Sequence, residues 1–129
     1  MDTFIIWLNE QRSIIHLLLH VLVPWLIAWW VAADNKVRFA FFVMLGTMAV
    51  DVDHLLATPI YQPDRCSILF HPLHQSWAFI IYGLMLGWPL LVRGLKKKLQ
   101  QWEVVMGWLG AGLVIHMILD GFDCWWMSF

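Results

Sequence analysis

Long apolar stretches alternate with short polar breaks along this chain. Four stretches are long enough to cross a hydrocarbon core of roughly 30 Å, which takes about 20 mostly apolar residues at about 1.5 Å each. The pattern predicts transmembrane helices over residues 13–33, 37–57, 77–92 and 102–119, the third being the shortest and interrupted by Pro89. We therefore predict an all-α protein in which residues 1–129 form a single integral-membrane domain, a bundle of four helices.

The composition agrees with a membrane chain. Of its 129 residues, 61% are hydrophobic and only 13% are charged, which exceeds the apolar content of an ordinary soluble domain. The net charge of −1 gives no basic field that would attract a nucleic acid. Membrane lipids are therefore the expected partners, and the sequence leaves the oligomeric state open.

The basic residues predict an orientation. Lys36 and Arg38 lie in the first connection, and Arg93 with residues 96–98 lie in the third, whereas the other helix ends hold only Arg12 and Arg65. The positive-inside rule then puts both termini outside, together with the long connection over residues 58–76. Gly83 and Gly87 in the third helix would permit close helix packing.

The candidate chemistry gathers at the predicted outer end. All six histidines lie there, each near an aspartate or another histidine. Residues four apart share one face of a helix, so an HxxxH or HxxxD motif directs two side chains at one point. The groups are HxxxH with His16 and His20, DVDH with Asp51, Asp53 and His54, HPLH with His71 and His74, and HMILD with His116 and Asp120.

The helical rise places these side chains in two layers inside the membrane. His20, Asp51 and His116 form the lower layer, and His16, His54 and Asp120 form the upper one. Ionisable groups at such depth are costly and normally face one another or a wet cavity. A single membrane histidine is also explained as a hydrogen-bond donor between helices, but buried aspartates without cationic partners favour a metal site.

Nitrogen and oxygen ligands together suit a divalent transition metal, zinc first, with manganese or iron as alternatives. The set exceeds the four ligands of one closed zinc site, so we expect one to three ions. The predicted metal ligands are His16, His20, Asp51, His54, His71, His74, His116 and Asp120.

Two further residues are predicted to take part in catalysis. Asp53 lies about 200° around the helix from Asp51 at ~100° per residue, which favours a role in orienting a histidine. Asp53, or a histidine that binds no metal, is also the expected general base. Arg65 in the outer connection is expected to stabilise negative charge on a substrate.

The motifs carry a resemblance to a known group of proteins. The HxxxH opening, AVDVDHLLATPIYQPDRCSILFHPLHQSWA and VIHMILDGFDC resemble a family of short bacterial membrane proteins of unknown function. That family is related to membrane-bound metal-dependent hydrolases, which are thought similar to zinc-dependent phospholipase C and single-strand nucleases. The resemblance implies metal ligation by His20, Asp51, His54, His71, His74, His116 and Asp120. Because HPLH stands where those hydrolases typically have an arginine after the first histidine, no catalytic arginine is carried over.

We therefore expect a membrane-embedded metal-dependent hydrolase in a bacterial inner membrane, with its site facing the periplasm. Because the site opens near the outer headgroups, a phospholipid or another envelope ester is the expected substrate class. One alternative is a non-enzymatic metal-binding or metal-transport protein. Another is a haem-binding helical protein with axial histidine pairs, which the aspartates beside the helical histidines disfavour.

Cys66 and Cys124 both fall on the predicted outer side. An oxidising compartment permits a disulfide between them, which would tie the outer connection to the fourth helix. The alternatives are two buried free thiols, or Cys66 as a further metal ligand.

Overall fold

The chain folds into a bundle of helices that is all-α over the part described. The computed structural model describes residues 7, 10–60, 62, 65–96 and 98–128. Of residue 96 it describes only the backbone. The α-helices are α1 (Arg12–Val31), α2 (Val37–Gly46), α3 (Ser76–Lys96) and α4 (Gln101–Trp126), and 3-10 segments cover Asp34–Lys36, Thr47–Leu56 and Pro72–His74. No strand occurs among these residues, which confirms the predicted fold class for them.

Four helical stretches are long and apolar enough to span a membrane, as predicted. They are Arg12–Val31, Asp34–Leu56, Ser76–Leu95 and Gln101–Trp126, so α2 and the following 3-10 segment form one span. Large apolar side chains point outward on this bundle, with Trp30 81% and Leu95 76% exposed. A lipid environment accounts for such a surface, which is far larger than the apolar patches of soluble monomers. The predicted N-out, C-out orientation stays a prediction, and Lys97, which contributed to it, lies outside the described residues.

The third helix is not the shortest, and Pro89 does not interrupt it. Helix α3 continues through Pro89 to Lys96. Proline is tolerated inside membrane helices when neighbouring helices compensate for the local change in backbone. Here Gly107 of α4 makes room for the ring, because a Cβ at position 107 would lie 2.5 Å from Cγ of Pro89.

Helix α4 ends at Trp126, seven residues beyond the boundary predicted from hydropathy. The predicted end fell before the polar residues Asp120 and Asp123. Both carboxylates have partners on α1, since Asp120 lies 3.2 Å from His16 and Asp123 lies 3.4 Å from Arg12. The helix therefore continues past them.

The segment Thr47–Leu56 winds as a 3-10 helix of ten residues, longer than such helices usually are. Its buried residues are Thr47, Val50 and Asp53, at intervals of three, which matches the three residues per turn of this helix. Asp51 and His54 are also three apart and lie together on another face. The tighter winding thus separates Asp53 from the Asp51 and His54 face.

Helices α3 and α4 pack closely through glycines of α4. A Cβ at Gly110 would lie 2.3 Å from the backbone nitrogen of Leu86, whereas a Cβ at Gly83 or Gly87 would meet nothing within 4 Å. The expectation that Gly83 and Gly87 permit close packing is therefore wrong, because these glycines do not face the neighbouring helix. The close approach depends on Gly110.

Cys66 and Cys124 form a disulfide across 58 residues, which confirms that prediction and excludes both alternatives. On the chain-entropy model, closing such a segment stabilises the fold by about 4 kcal/mol. The bond fixes the connection before α3 against the last turns of α4, where the predicted site residues lie.

We expect Gly110→Ala to destabilise the bundle, because its Cβ would force α3 and α4 apart. Overpacking of this kind costs about 1–3 kcal/mol, so the thermal unfolding midpoint in detergent should fall by roughly 5 °C or more. Tryptophan fluorescence during a temperature ramp measures it. Gly87→Ala is the matched control and should leave the midpoint unchanged or slightly higher; an equal decrease in both variants would contradict the packing described here.

Candidate metal centre

Side chains from three spans and the long connection meet at one end of the bundle, which we call the loop end. Helix α1 contributes His16 and His20, one turn apart, and α4 contributes His116 and Asp120 with the same spacing. This spacing directs each pair at one point. The structure brings all eight predicted ligands and Asp53 together, in three groups: Asp51, His74, His116 and Asp120; His16, His20 and Asp120; Asp53, His54 and His71.

The groups do not form the two layers predicted from helical rise. Asp120 was placed in the upper layer, yet it lies 3.4 Å from His20 and 3.6 Å from His116 of the lower layer. His74 enters from the connection and is fully buried between the helices. The counting of helical rise could not anticipate this, because it treats the connection as lying outside the bundle.

Four separations between ligand atoms in the four-ligand group (Asp51, His74, His116 and Asp120) are close to those of a tetrahedral metal site. His116 Nε2 and His74 Nε2 lie 3.0 Å and 3.6 Å from Asp51 Oδ1. The same two nitrogens lie 3.6 Å and 3.0 Å from Asp120 Oδ2. Tetrahedral coordination with bonds of about 2.0 Å separates the ligand atoms by about 3.3 Å. The group therefore fits a zinc-sized ion at its centre.

Two atoms of this group lack hydrogen bonds despite their burial. His74 Nε2 and Asp120 Oδ2 lie 3.0 Å apart, but neither has a hydrogen-bond partner among the described residues. A buried polar atom left without a partner costs about 1–3 kcal/mol. A metal ion between the two atoms would give each of them a partner, whereas they do not form a hydrogen bond with each other in their present geometry.

His74 is held in place by Asp53. The Nδ1 of His74 lies 3.2 Å from Asp53 Oδ2, which also accepts the backbone N–H of Leu73 at 2.8 Å. Burial alone would lower the pKa of His74, but the carboxylates of Asp120, Asp51 and Asp53 outweigh it and raise the pKa to about 10. The three carboxylates thus require a positive charge at this point, carried by a proton on His74 or by a metal ion.

The three-ligand group (His16, His20 and Asp120) shares Asp120 with the first. His16 Nε2 and His20 Nε2 lie 3.2 Å and 3.4 Å from Asp120 Oδ1. The Nδ1–H of His20 donates to the carbonyl oxygen of His16 at 2.9 Å, so Nε2 is free to face the carboxylate. This Nε2 is buried and has no hydrogen-bond partner among the described residues. Asp120 therefore directs one oxygen at each group, as a carboxylate that bridges two ions would.

In the third group (Asp53, His54 and His71), His54 is engaged by hydrogen bonds and His71 by ring stacking. The two ring nitrogens of His54 pair with Asp53 Oδ1 at 3.1 Å and with Ser67 Oγ at 3.0 Å. The ring of His71 stacks on His54, with centroids 3.7 Å apart. Burial lowers the pKa of His71, and the neighbouring His54 lowers it further. Neither histidine has a nitrogen among the buried atoms that lack partners, so this group fits a metal ion less well.

A pocket of about 320 Å³ opens beside these groups, and we call it the loop-end pocket. Arg65 lies in its wall, where its Nη2 donates to the carbonyl oxygens of Pro59 and Ile60 at 2.7 Å and 2.9 Å. The nitrogens Nη1 and Nε of Arg65 have no hydrogen-bond partner among the described residues. The pocket is lined by Arg12, Ser13, His16, Asp51, His54, Ile60, Gln62, Arg65, Ser67, His71, Asp120 and Asp123.

The sequence pattern did not single out three residues of this region. Ser67 was missed because a lone hydroxyl in a connection has no spacing signal, although it lies between Arg65 and His71. Asp123 was missed because no histidine lies four residues from it in the sequence, and Arg12 was considered only as one of the few basic residues at the outer side. These two pair across α1 and α4 and line the loop-end pocket.

Comparison with known proteins places the chain in a family. The model of the Family of unknown function (DUF6122) matches residues 11–127. No curated protein and no solved structure matches the chain. The relation to membrane-bound metal-dependent hydrolases, suggested by the motifs, thus stays a prediction.

We expect Asp120→Asn to lose most bound metal, since Asp120 directs an oxygen at both groups. Elemental analysis of the purified chain should give about two ions for the unchanged protein and far fewer for the variant. A metal titration should give at least a tenfold weaker affinity for the variant. Asp34→Asn is the control, with the same change of charge at an exposed position at the opposite end of the bundle, and should retain its metal. Equal metal content in the two variants would contradict the shared role of Asp120.

Proposed function

We propose that this chain, which belongs to the Family of unknown function (DUF6122), is a membrane-embedded metal-dependent hydrolase. One observation carries the proposal: the three-ligand group shares Asp120 with a four-ligand group and borders the loop-end pocket through His16 and Asp120. Catalytic zinc sites use three protein ligands and keep a position open, whereas four protein ligands make a closed structural site. The three-ligand group is therefore the candidate for chemistry.

The proposed cofactor is two divalent transition-metal ions, zinc first. The six proposed ligands are four imidazoles and two carboxylates. They offer nitrogen and oxygen without sulfur, since both cysteines are in the disulfide. Such ligands suit zinc, and also manganese or iron. His54 is not proposed as a ligand, because both of its ring nitrogens already form hydrogen bonds. His71 is not proposed either, because its ring stacks on His54. The proposed ligands are His16, His20, Asp51, His74, His116 and Asp120.

The bound ion would lower the pKa of a coordinated water toward ~7 and polarise a phosphoryl or carbonyl oxygen of the substrate. Asp53 positions His74 and is a poor general base, because both of its oxygens already accept hydrogen bonds. His54 is a better base, as a histidine outside the proposed ligand set that lines the pocket. Arg65 would bind the negative charge that develops on the substrate.

The surroundings of the pocket favour a lipid ester, either a phospholipid or another ester of the cell envelope. Ile60 lines the pocket and is 58% exposed, and Leu69 and Phe70 are 62% and 52% exposed on the same connection. The guanidinium of Arg65 lies 4.8 Å over the Phe70 ring. A cation beside exposed apolar side chains suits a ligand that joins a charged headgroup to apolar chains.

The proposed location is the bacterial inner membrane, with the loop end facing the periplasm. The positive-inside rule supports this orientation. The disulfide between Cys66 and Cys124 at the loop end supports it independently, because disulfides persist in the periplasm and are rare in the cytosol.

A non-enzymatic metal-binding protein is the second candidate. The four-ligand group favours it, because a tetrahedral site filled by protein ligands leaves no position for a substrate. Transport through the bundle is less well supported. All three groups lie at the loop end, and at the opposite end Glu103 is a buried acid engaged in capping α4.

If the chain is a hydrolase, it should release products from phosphatidylethanolamine and phosphatidylglycerol in mixed micelles only when metal is bound. Mass spectrometry measures the released products. His16→Gln should lower the rate by about 100-fold or more, since it removes a ligand of the open group. Arg65→Gln should also lower the rate, and Arg65→Lys should restore part of it by returning the charge. A chain that holds two ions and releases no product from either lipid would favour the non-enzymatic alternative.

A further inference from the structure

Ser67 and two residues of the third group, His54 and Asp53, form a continuous chain of hydrogen bonds. Ser67 Oγ lies 3.0 Å from His54 Nε2, and His54 Nδ1 lies 3.1 Å from Asp53 Oδ1. This order, a hydroxyl, an imidazole and a carboxylate, is the arrangement that activates a serine nucleophile. Such sites are recognised by geometry, because they occur in unrelated folds and in different sequence orders.

We propose that Ser67 is a nucleophile, His54 its general base and Asp53 the residue that positions His54. The proposed site serves carboxylic esters, such as the acyl esters of lipids. It uses residues outside the proposed metal ligands and does not rest on the proposed metal-dependent function.

The hydrogen bonds fix the imidazole in the form that this role needs. Asp53 is buried, and its Oδ2 is held by the backbone N–H of Leu73, so the carboxylate cannot turn away. In the neutral imidazole whose Nδ1–H donates to Asp53 Oδ1, Nε2 carries no proton and can accept the hydroxyl proton of Ser67. The stacked ring of His71 holds the imidazole plane from one side.

Ser67 is also held in place through the backbone. Its carbonyl oxygen accepts the N–H groups of Phe70 and His71 at 3.2 Å and 3.3 Å, which closes a tight turn. The preceding residue, Cys66, is bonded to Cys124 of α4. The hydroxyl therefore sits on a segment fixed at both sides, as a preorganised nucleophile requires.

Access and charge are both provided by the loop-end pocket. Ser67, His54 and Arg65 line it together. The carbonyl oxygens of Pro59 and Ile60 hold the Arg65 guanidinium by one nitrogen. Its other N–H groups have no hydrogen-bond partner among the described residues, so we assign them to a developing oxyanion.

The reaction balances without an oxidant, reductant or further co-reactant. Ser67 Oγ bonds to the ester carbonyl carbon while His54 Nε2 takes the hydroxyl proton. The bond between the carbon and the alkoxy oxygen breaks, and the proton on His54 passes to the departing alcohol. Water then attacks the acyl carbon and gives one proton to His54, which returns it to Ser67 Oγ as the carboxylic acid leaves.

A fluorophosphonate probe tests this proposal on the purified full chain in detergent. It should form one covalent adduct, which peptide mass spectrometry should place on Ser67. Ser67→Ala should abolish the adduct. His54→Asn keeps a donor for Asp53 but removes the base, and should slow labelling by about 100-fold or more. Ser128→Ala, the same change at a serine that does not line the pocket, is the control and should label at the unchanged rate.

This experiment distinguishes failure of the proposed serine nucleophile from failure of the proposed metal-dependent function. Each variant is checked for metal content and helical circular dichroism, so that loss of fold is distinguished from loss of reactivity. A folded, metal-containing chain that does not label at Ser67 would overturn the nucleophile and leave the metal proposal intact. Labelling that is unchanged in folded His54→Asn would also overturn it, because the base would then have no role. Labelling at Ser67 in a chain that binds no metal would support the nucleophile alone.

Discussion

The buried carboxylate of Asp120 sets the main constraint on this structure. A charge inside an apolar bundle is costly unless it is paired, and Asp120 lies beside histidines from α1, from α4 and from the connection before α3. Asp51 and Asp53 add two more carboxylates within reach of His74. The loop end can be stable only if positive charge enters this cluster, on the imidazoles or as a metal ion.

Several local features of the fold follow from that constraint. The 3-10 winding of Thr47–Leu56 turns Asp51 toward the helix-borne ligands while Asp53 is buried behind His74. The connection folds inward to deliver His74, and the disulfide from Cys66 to Cys124 fixes it there. Helix α4 extends beyond the apolar part of its sequence because its carboxylates are paired. The opposite half of the bundle packs through small apolar residues such as Ala28 and Ala40.

Much of this organisation could be predicted from the sequence, because it depends on regular spacing. Apolar length gave the four spans, and the four-residue spacing of His16 with His20 and of His116 with Asp120 gave convergent pairs. Three features could not be predicted in this way. The 3-10 segment depends on tertiary packing, the depth of His74 depends on how an irregular connection folds, and Ser67 has a role only through its contact with His54. The effects of Pro89 and Gly87 could not be predicted from spacing either, because they depend on which helix each residue faces.

The proposal that this cluster holds two metal ions, with Asp120 as a ligand to both, is best tested by X-ray absorption at the edge of the bound metal. It is supported by nitrogen and oxygen ligands at about 2.0–2.2 Å with a clear imidazole signature and no sulfur, together with a second metal at about 3.5–4 Å. A chain purified without metal under conditions that preserve its fold, or a metal bound through sulfur at about 2.3 Å, would contradict it.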